Sequence, residues 1–200
     1  MKLLWSLVLG MRRKNLLKRI GFAFAIFVSL AVILISIQPP DFRITRSVTV
    51  AAPAQSIFAH VNDLHKWDAW SPWSRLDPTA KARFEGPRTG KESTFHWSGN
   101  KEIGEGTMTI TESEPHRLVR IKIEFVRPFT AVNMAEFTFA SEGEHTIVTW
   151  SMYGPNNFMA KAMHLLMDME KMLGSDFERG LERLKAIAET SSRNKSSEQK

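Results

Sequence analysis

Chemistry needs side chains that trade protons, hold metals or attack, and this sequence places few of them usefully. Its six histidines, His60, His65, His96, His116, His145 and His164, show neither His-x-His nor His-Glu-x-x-His spacing. No two imidazoles are therefore set side by side as metal ligands. Cysteine is absent, which removes thiolate nucleophiles, thiolate metal sites and disulfides together. Gly104-x-Gly106 leads into a strand-like segment, so no helix N-terminus waits behind it to cradle a phosphate. No Gly-x-Ser-x-Gly elbow occurs. Each lone histidine is most simply a surface or rim residue, and His96, alternating with Phe95 and Trp97, is expected to face solvent. Asn133 shares the strand parity of Phe137 and Phe139, which are expected to point inward, whereas Glu136 does not. Asn133 is thus a candidate ligand contact. The expectation is no catalytic set, no metal and no cofactor, leaning away from an enzyme.

Apolar residues carry the stronger signal. Six of the ten methionines, Met152, Met159, Met163, Met167, Met169 and Met172, fall between positions 152 and 172. Methionine adapts to varied apolar shapes, and Met163 and Met167 lie off the main stripe of this helical segment, making it apolar on more than one side. Ordinary core filling accounts for the cluster; the sharper alternative is a lining for a greasy ligand, or a patch touching membrane or partner. Trp67, Trp70 and Trp73 pose the same choice, between core that seals one end of a barrel and a lip at a cavity mouth or membrane.

The elements that must position these residues begin with an anchor. Residues 20–40 contain no charge, and residues 21–37 (GFAFAIFVSLAVILISI) are almost wholly apolar. At about 1.5 Å per residue such a run nearly spans a hydrocarbon core of about 30 Å, and Pro39-Pro40 then ends the helix. A cleaved signal usually has a shorter apolar run and a small-x-small cleavage site; Ile35-Ser36-Ile37-Gln38 is a poor one, which favours an uncleaved anchor. Met11 opens a more conventional anchor, MRRKNLLKRIGF, and is an alternative start. Net charge is +6, and the six basic residues Lys2, Arg12, Arg13, Lys14, Lys18 and Arg19 precede the apolar run with no acidic residue among them. This cluster supplies the whole excess, so it reads as a topology signal rather than a nucleic-acid footprint. With only Arg43 and Arg46 just beyond the run, the N-terminus is expected in the cytoplasm and the rest outside, periplasmic if the source is bacterial. No nucleic-acid partner is expected.

Beyond the anchor, a hydrophobic share of 43% with 24% charged residues supports a folded core. Residues 43–51 (RITRSVTVA) set Ile44, Arg46, Val48 and Val50 against Arg43, Thr45, Ser47 and Thr49, the period of a half-buried strand. A short helix opens at Ala52-Pro53, with Ile57, Phe58 and Val61 on its apolar side, and ends at Asn62-Asp63. Further strands are expected at 80–85, 93–97, 106–111, 118–126, 131–140 and 146–153, with turn signals between most of them. Short connections imply antiparallel neighbours. One long helix is expected from 157 to 189 or 190, its stripe formed by Phe158, Ala162, Leu165, Leu166, Met169, Leu173, Phe177, Leu184 and Ile187, with Gly174 a possible bend. Residues 191–200 (SSRNKSSEQK) read as a polar disordered tail. The divisions are 1–19 basic segment, 20–38 membrane span, 42–190 folded domain and 191–200 tail.

The stretches VTVAAPAQSIF, WDAWSPWSRLDP, GEGTMTI, TIVTWSMYG and MEKMLGSDFERGLERL resemble the START-like, Bet v 1-type (SRPBCC) superfamily, in its polyketide cyclase/dehydrase and lipid transport branch. The resemblance covers about residues 43–188 and departs from relatives at Thr89-Gly90-Lys91-Glu92, where a Gly-x-Gly-rich turn is common. It implies an α+β helix-grip fold, a seven-stranded antiparallel sheet wrapped around a long C-terminal helix. It is unspecific for ligand; the anchor, the methionine-rich helix and the missing catalytic set favour a hydrophobic, lipid-like one, held in a cavity that such a sheet can leave against the helix. The residues expected to line that space are Phe95, Trp97, Met108, Ile121, Ile123, Phe125, Asn133, Phe137, Phe139, Trp150, Met152, Leu166 and Met169, with Trp67, Trp70 and Trp73 at the lip. Two other readings stand beside binding or transfer: an enzyme acting on a polyketide-like or aromatic substrate, and a protein-binding module with a filled core.

Overall fold

The structure, a computed structural model, describes the backbone of residues 2–198 and the side chains of residues 17–194 other than His164 and Leu166. It divides into two compact units, Met1–Pro40 with Asn156–Met167, and Asp41–Pro155 with Asp168–Lys200.

The first unit holds helix α1 (Lys2–Ser36) and helix α3 (Phe158–Leu166). Leu17–Ser36 is a 20-residue candidate membrane span, its side chains not buried by the protein. Within this unit α3 lies against α1, and the Lys161 ammonium donates to the Ser36 carbonyl at 3.3 Å.

The second unit is built on seven antiparallel strands: β1 Asp41–Val50, β2 Lys81–Glu85, β3 Thr94–Ser98, β4 Glu105–Glu114, β5 Leu118–Arg127, β6 Ala131–Glu142 and β7 His145–Pro155. Their order across the sheet is β1-β7-β6-β5-β4-β3-β2, so hairpins build it outward from β7 and the first strand returns to pair with the last. Helix α2 (Ala54–Val61) follows β1. Pro53 fits its N-terminal boundary because proline has no amide to satisfy there, and Ala54, Ile57, Phe58 and Val61, spaced for one helical face, are all buried. A short 3-10 helix, Leu64–Ala69, comes next, capped by Asp63, whose carboxylate accepts from the His65 amide at 3.1 Å.

Helix α4 (Met169–Glu198) packs along β1 and against α2. It buries Phe177, Leu181, Leu184 and Ala188 in a core shared with Ile44, Val50, Ile110, Val119, Ile121, Ala135, Val148 and the aromatic residues described below.

Several expectations change here. The single long C-terminal helix is two helices, because Met167 is extended (φ −135°, ψ 138°) and the Asp168 carboxylate accepts from the Lys171 amide at 2.9 Å, capping a fresh start. Phe158 and Leu165 are exposed on α3 and do not join the stripe that Phe177 and Leu184 bury. Gly174 lies inside an unbroken α4, which continues through Glu198, past the end that composition suggests.

Candidate functional site

Strand register decides which side chains share a face. Across the sheet, Ile44 opposes Met152, Met152 opposes Ala135, Ala135 opposes Ile121, and Ile121 opposes Ile110. All of them face α4 and α2. The same parity adds Trp150 and Phe137, Ile123 and Met108, Phe125 and Gly106, then Phe95 and Phe84, and Trp97. The other face carries charge: Arg120 pairs with Glu136 at 2.9 Å and with Glu112, and Lys122 with Glu124 at 2.8 Å.

The inner face has two parts. Under α4 and α2 it is closed by aromatic rings. Trp150 stacks on Phe177 at 4.2 Å and on Phe137 at 4.9 Å, and Trp67 and Trp70 meet Phe137 and Trp150 edge-on. Trp67 donates to the Val61 carbonyl at 2.9 Å and Trp73 to the Asp176 carboxylate at 3.1 Å. Trp150 is fully buried, yet its Nε1 donor has no hydrogen-bond partner among the described residues. Its opposite corner, Cζ3, lies against Gly180, so the orphaned donor points away from that contact. A buried donor without an acceptor costs on the order of 1–3 kcal/mol, and it is one place where a bound acceptor would be favoured.

The second part lies where α4 does not reach, on β2 to β5. Phe84, Phe95, Trp97 and Phe125 form a ladder of rings, with successive centroids 5.0, 6.1 and 5.8 Å apart. Met108 sits beside Phe95. None of these five is fully buried, and Phe84 is 37% exposed. Trp97 is fixed by donating to the Ile103 carbonyl at 2.9 Å, and it lies directly over Gly106, where a Cβ would be 2.5 Å from the indole. The turn supplying Ile103 is tied down by Asp77, whose carboxylate accepts from the Asn100 amide at 2.7 Å and from the Thr79 hydroxyl at 2.7 Å. Those hydrogen bonds, Thr79's first, hold the Asp77 carboxyl below its ordinary value against the opposing effect of burial.

Polar groups on the inner face are sparse. Arg46 is engaged by Glu178 at 2.7 Å, with Glu170 at 3.7 Å. The half-buried Asn133 carboxamide lies over Gly154 and makes no hydrogen bond among the described residues. Among those residues no cluster of three or more His, Asp or Glu is arranged to hold a metal ion.

The residues expected at the site fall into distinct places. Phe95, Trp97, Met108 and Phe125 stand together in the half-open ladder, with Ile123 and Asn133 on the same face. Ile121, Phe137, Phe139, Trp150 and Met152 are core beneath α4 and α2. Trp67 and Trp70 are buried, and Trp73 is packed on that core. Met169 is half-buried at the start of α4, and the side chain of Leu166 lies outside the described residues. His96 takes the charged face, hydrogen-bonded to Thr107 and Glu85 at 3.0 Å each. Phe84 was not anticipated. It completes the ladder and stacks on His65 at 3.9 Å, and only the register across the loop of residues 86–93 reveals it.

Comparison with known proteins gives the same frame. A family model described as "Polyketide cyclase / dehydrase and lipid transport" matches residues 41–189. No curated protein matches the chain. Among solved structures, the chain is similar to the Aha1 dimer from Colwellia psychrerythraea, with TM-score 0.53 and 15% identity over 74% of this chain and 96% of that one. It is similar to ginseng major latex-like protein 151 from Panax ginseng, with TM-score 0.54 and 12% identity over 75% and 99%. It also resembles the di-domain ARO/CYC BexL from the BE-7585A biosynthetic pathway, with TM-score 0.54 and 17% identity over 79% of this chain and 53% of BexL. At these identities the likeness is one of fold.

Proposed function

We propose a function from one premise: the chain belongs to the polyketide cyclase / dehydrase and lipid transport family, matched over residues 41–189. The protein binds or transfers a hydrophobic, lipid-like small molecule on the inner face of its sheet while α1 holds it to a membrane. The observation that carries this reading is the ladder of Phe84, Phe95, Trp97 and Phe125, an apolar surface left half-open in a unit whose remaining inner face is sealed. Exposed apolar surface of this kind is retained where something covers it. Met108 extends the surface, and the Asn133 carboxamide supplies a polar contact that would orient a mostly apolar guest. The span Leu17–Ser36 and the basic residues before it support membrane attachment with the N-terminus in the cytoplasm and the 42–190 domain outside.

An enzyme acting on a polyketide-like or aromatic substrate would need a titratable group on this face. The ionisable side chain at the inner strand positions is Arg46, and Glu178 already engages it, so binding is the reading we favour.

Native mass spectrometry of the full chain released from micelles, followed by solvent extraction, tests the proposal. A one-to-one apolar adduct is expected. Replacing Phe95 and Trp97 together by alanine should weaken uptake of that molecule about tenfold or more, equivalent to about 1.4 kcal/mol, while Lys122→Ala on the charged face should leave it unchanged. A protein that emerges empty and takes up no fluorescent lipid would instead point to a module for protein partners.

A further inference from the structure

Helix α3 presents an exposed apolar surface. Phe158, Met159 and Leu165 are 54%, 50% and 47% exposed. Nine residues make two and a half turns, and at 100° per residue Phe158, Met159, Ala162, Met163 and Leu165 fall within one broad arc, with Lys161 outside it. No acidic residue occurs from position 156 to 167. The helix is a defined element, because the Asn157 side chain caps it by accepting from the Ala160 amide at 2.8 Å.

Its place is set by α1. Lys161 reaches the carbonyl of Ser36, the last residue of the candidate span. Just beyond, the Asn156 amide donates to the Pro40 carbonyl at 2.8 Å, and its side chain to that of Pro39 at 3.2 Å. A 20-residue span is about 30 Å long, matching the hydrocarbon core, so its end lies where acyl chains give way to head groups. A short helix fastened to that point, apolar over one broad arc with Lys161 outside it and no acidic residue, has the properties of a helix lying in the membrane interface.

We infer that α3 is an interfacial helix, its Phe158–Met159–Leu165 face inserted among the lipids of the leaflet from which α1 emerges. This rests on the reading of α1 as a membrane span, and adds a second attachment inserted in sequence between β7 and α4.

The absence of cysteine allows single probes to be placed in the full chain. Met159→Cys, Leu165→Cys, Phe27→Cys and Lys101→Cys, each carrying an NBD fluorophore, are reconstituted in phosphatidylcholine–phosphatidylglycerol vesicles with nitroxide-labelled lipids. The expected result is blue-shifted emission at 159 and 165, quenched severalfold more than at 101 by nitroxides near the head group. Position 27 should respond to nitroxides deep in the acyl chains. If 159 and 165 are quenched by aqueous iodide as strongly as 101 while 27 remains in lipid, the interfacial placement is wrong and the anchor stands. Shielding of 159 and 165 from both iodide and nitroxide lipids would mean a protein surface covers them, and also overturns the inference. Water exposure at 27 as well would remove the anchor, and this inference with it.

Discussion

At the scale of single residues, His60 carries the clearest consequence of the way this core is closed. It sits near the end of α2, and burial, with Lys66 adding to it and Asp63 opposing, pushes its pKa below the ordinary value of 6.5. A folded-state pKa below the unfolded one means the unfolded chain binds more protons between the two values. Stability is therefore full above about pH 6.5 and falls as the pH drops through that window, reaching its low plateau below the folded-state value. His60→Gln should flatten this part of the stability–pH curve, measured by urea unfolding at several pH values. An unchanged slope would assign it to another group. Residue identity alone gave no hint of this, because His60 is one of six histidines without informative spacing. What residue types and parity did convey was sidedness: Asn133 inward and Glu136 outward, Phe95 and Trp97 inward and His96 outward. Depth was not legible. Phe137 and Phe95 share a face, and only the placement of α4 decides that one is sealed and the other half-open.

Among the elements, α4 contains two glycines that look alike in sequence and differ in what they permit. A Cβ at Gly180 would stand 2.9 Å from Trp150 Cζ3 and 3.1 Å from Pro72 Cδ, both parts of rigid rings. A Cβ at Gly174 would meet the Arg46 guanidinium, the end of a flexible chain that can swing away. Alanine gains about 1 kcal/mol over glycine inside a helix, whereas overpacking a rigid site costs about 1–3 kcal/mol. Gly180→Ala should therefore destabilise the protein. Gly174→Ala should be neutral or stabilising by up to about 1 kcal/mol, since the partly exposed Arg46–Glu178 pair contributes little. Thermal unfolding of both variants checks the contrast, and equal effects would refute it. Strands were legible because alternation is a local property that each sequence stretch carries by itself. The break between α3 and α4 was not. Apolar residues keep helical spacing on both sides of Met167, and the only sequence signal was Asp168, an N-cap type that is unremarkable inside a polar-apolar pattern.

For the whole molecule, the sheet is graded from a deep centre to a thin edge. β7 and β6 lie between other strands and carry Val148, Trp150, Ala135 and Phe137 into the core, while every residue of β2 is exposed. Hydrogen exchange in the native state should follow that gradient, slowest in β6 and β7 and fastest in β2; fast exchange in β7 would contradict the packing described. The order of strands has a further consequence, in time. Thr45 of β1 bonds Ser151 of β7 across 106 positions of chain. At about 5–20 residues per second of synthesis, the first strand waits roughly 5 to 20 seconds for its only strand partner. Through that interval its row of amides and carbonyls lacks β7 to pair with and stays open to any other extended chain.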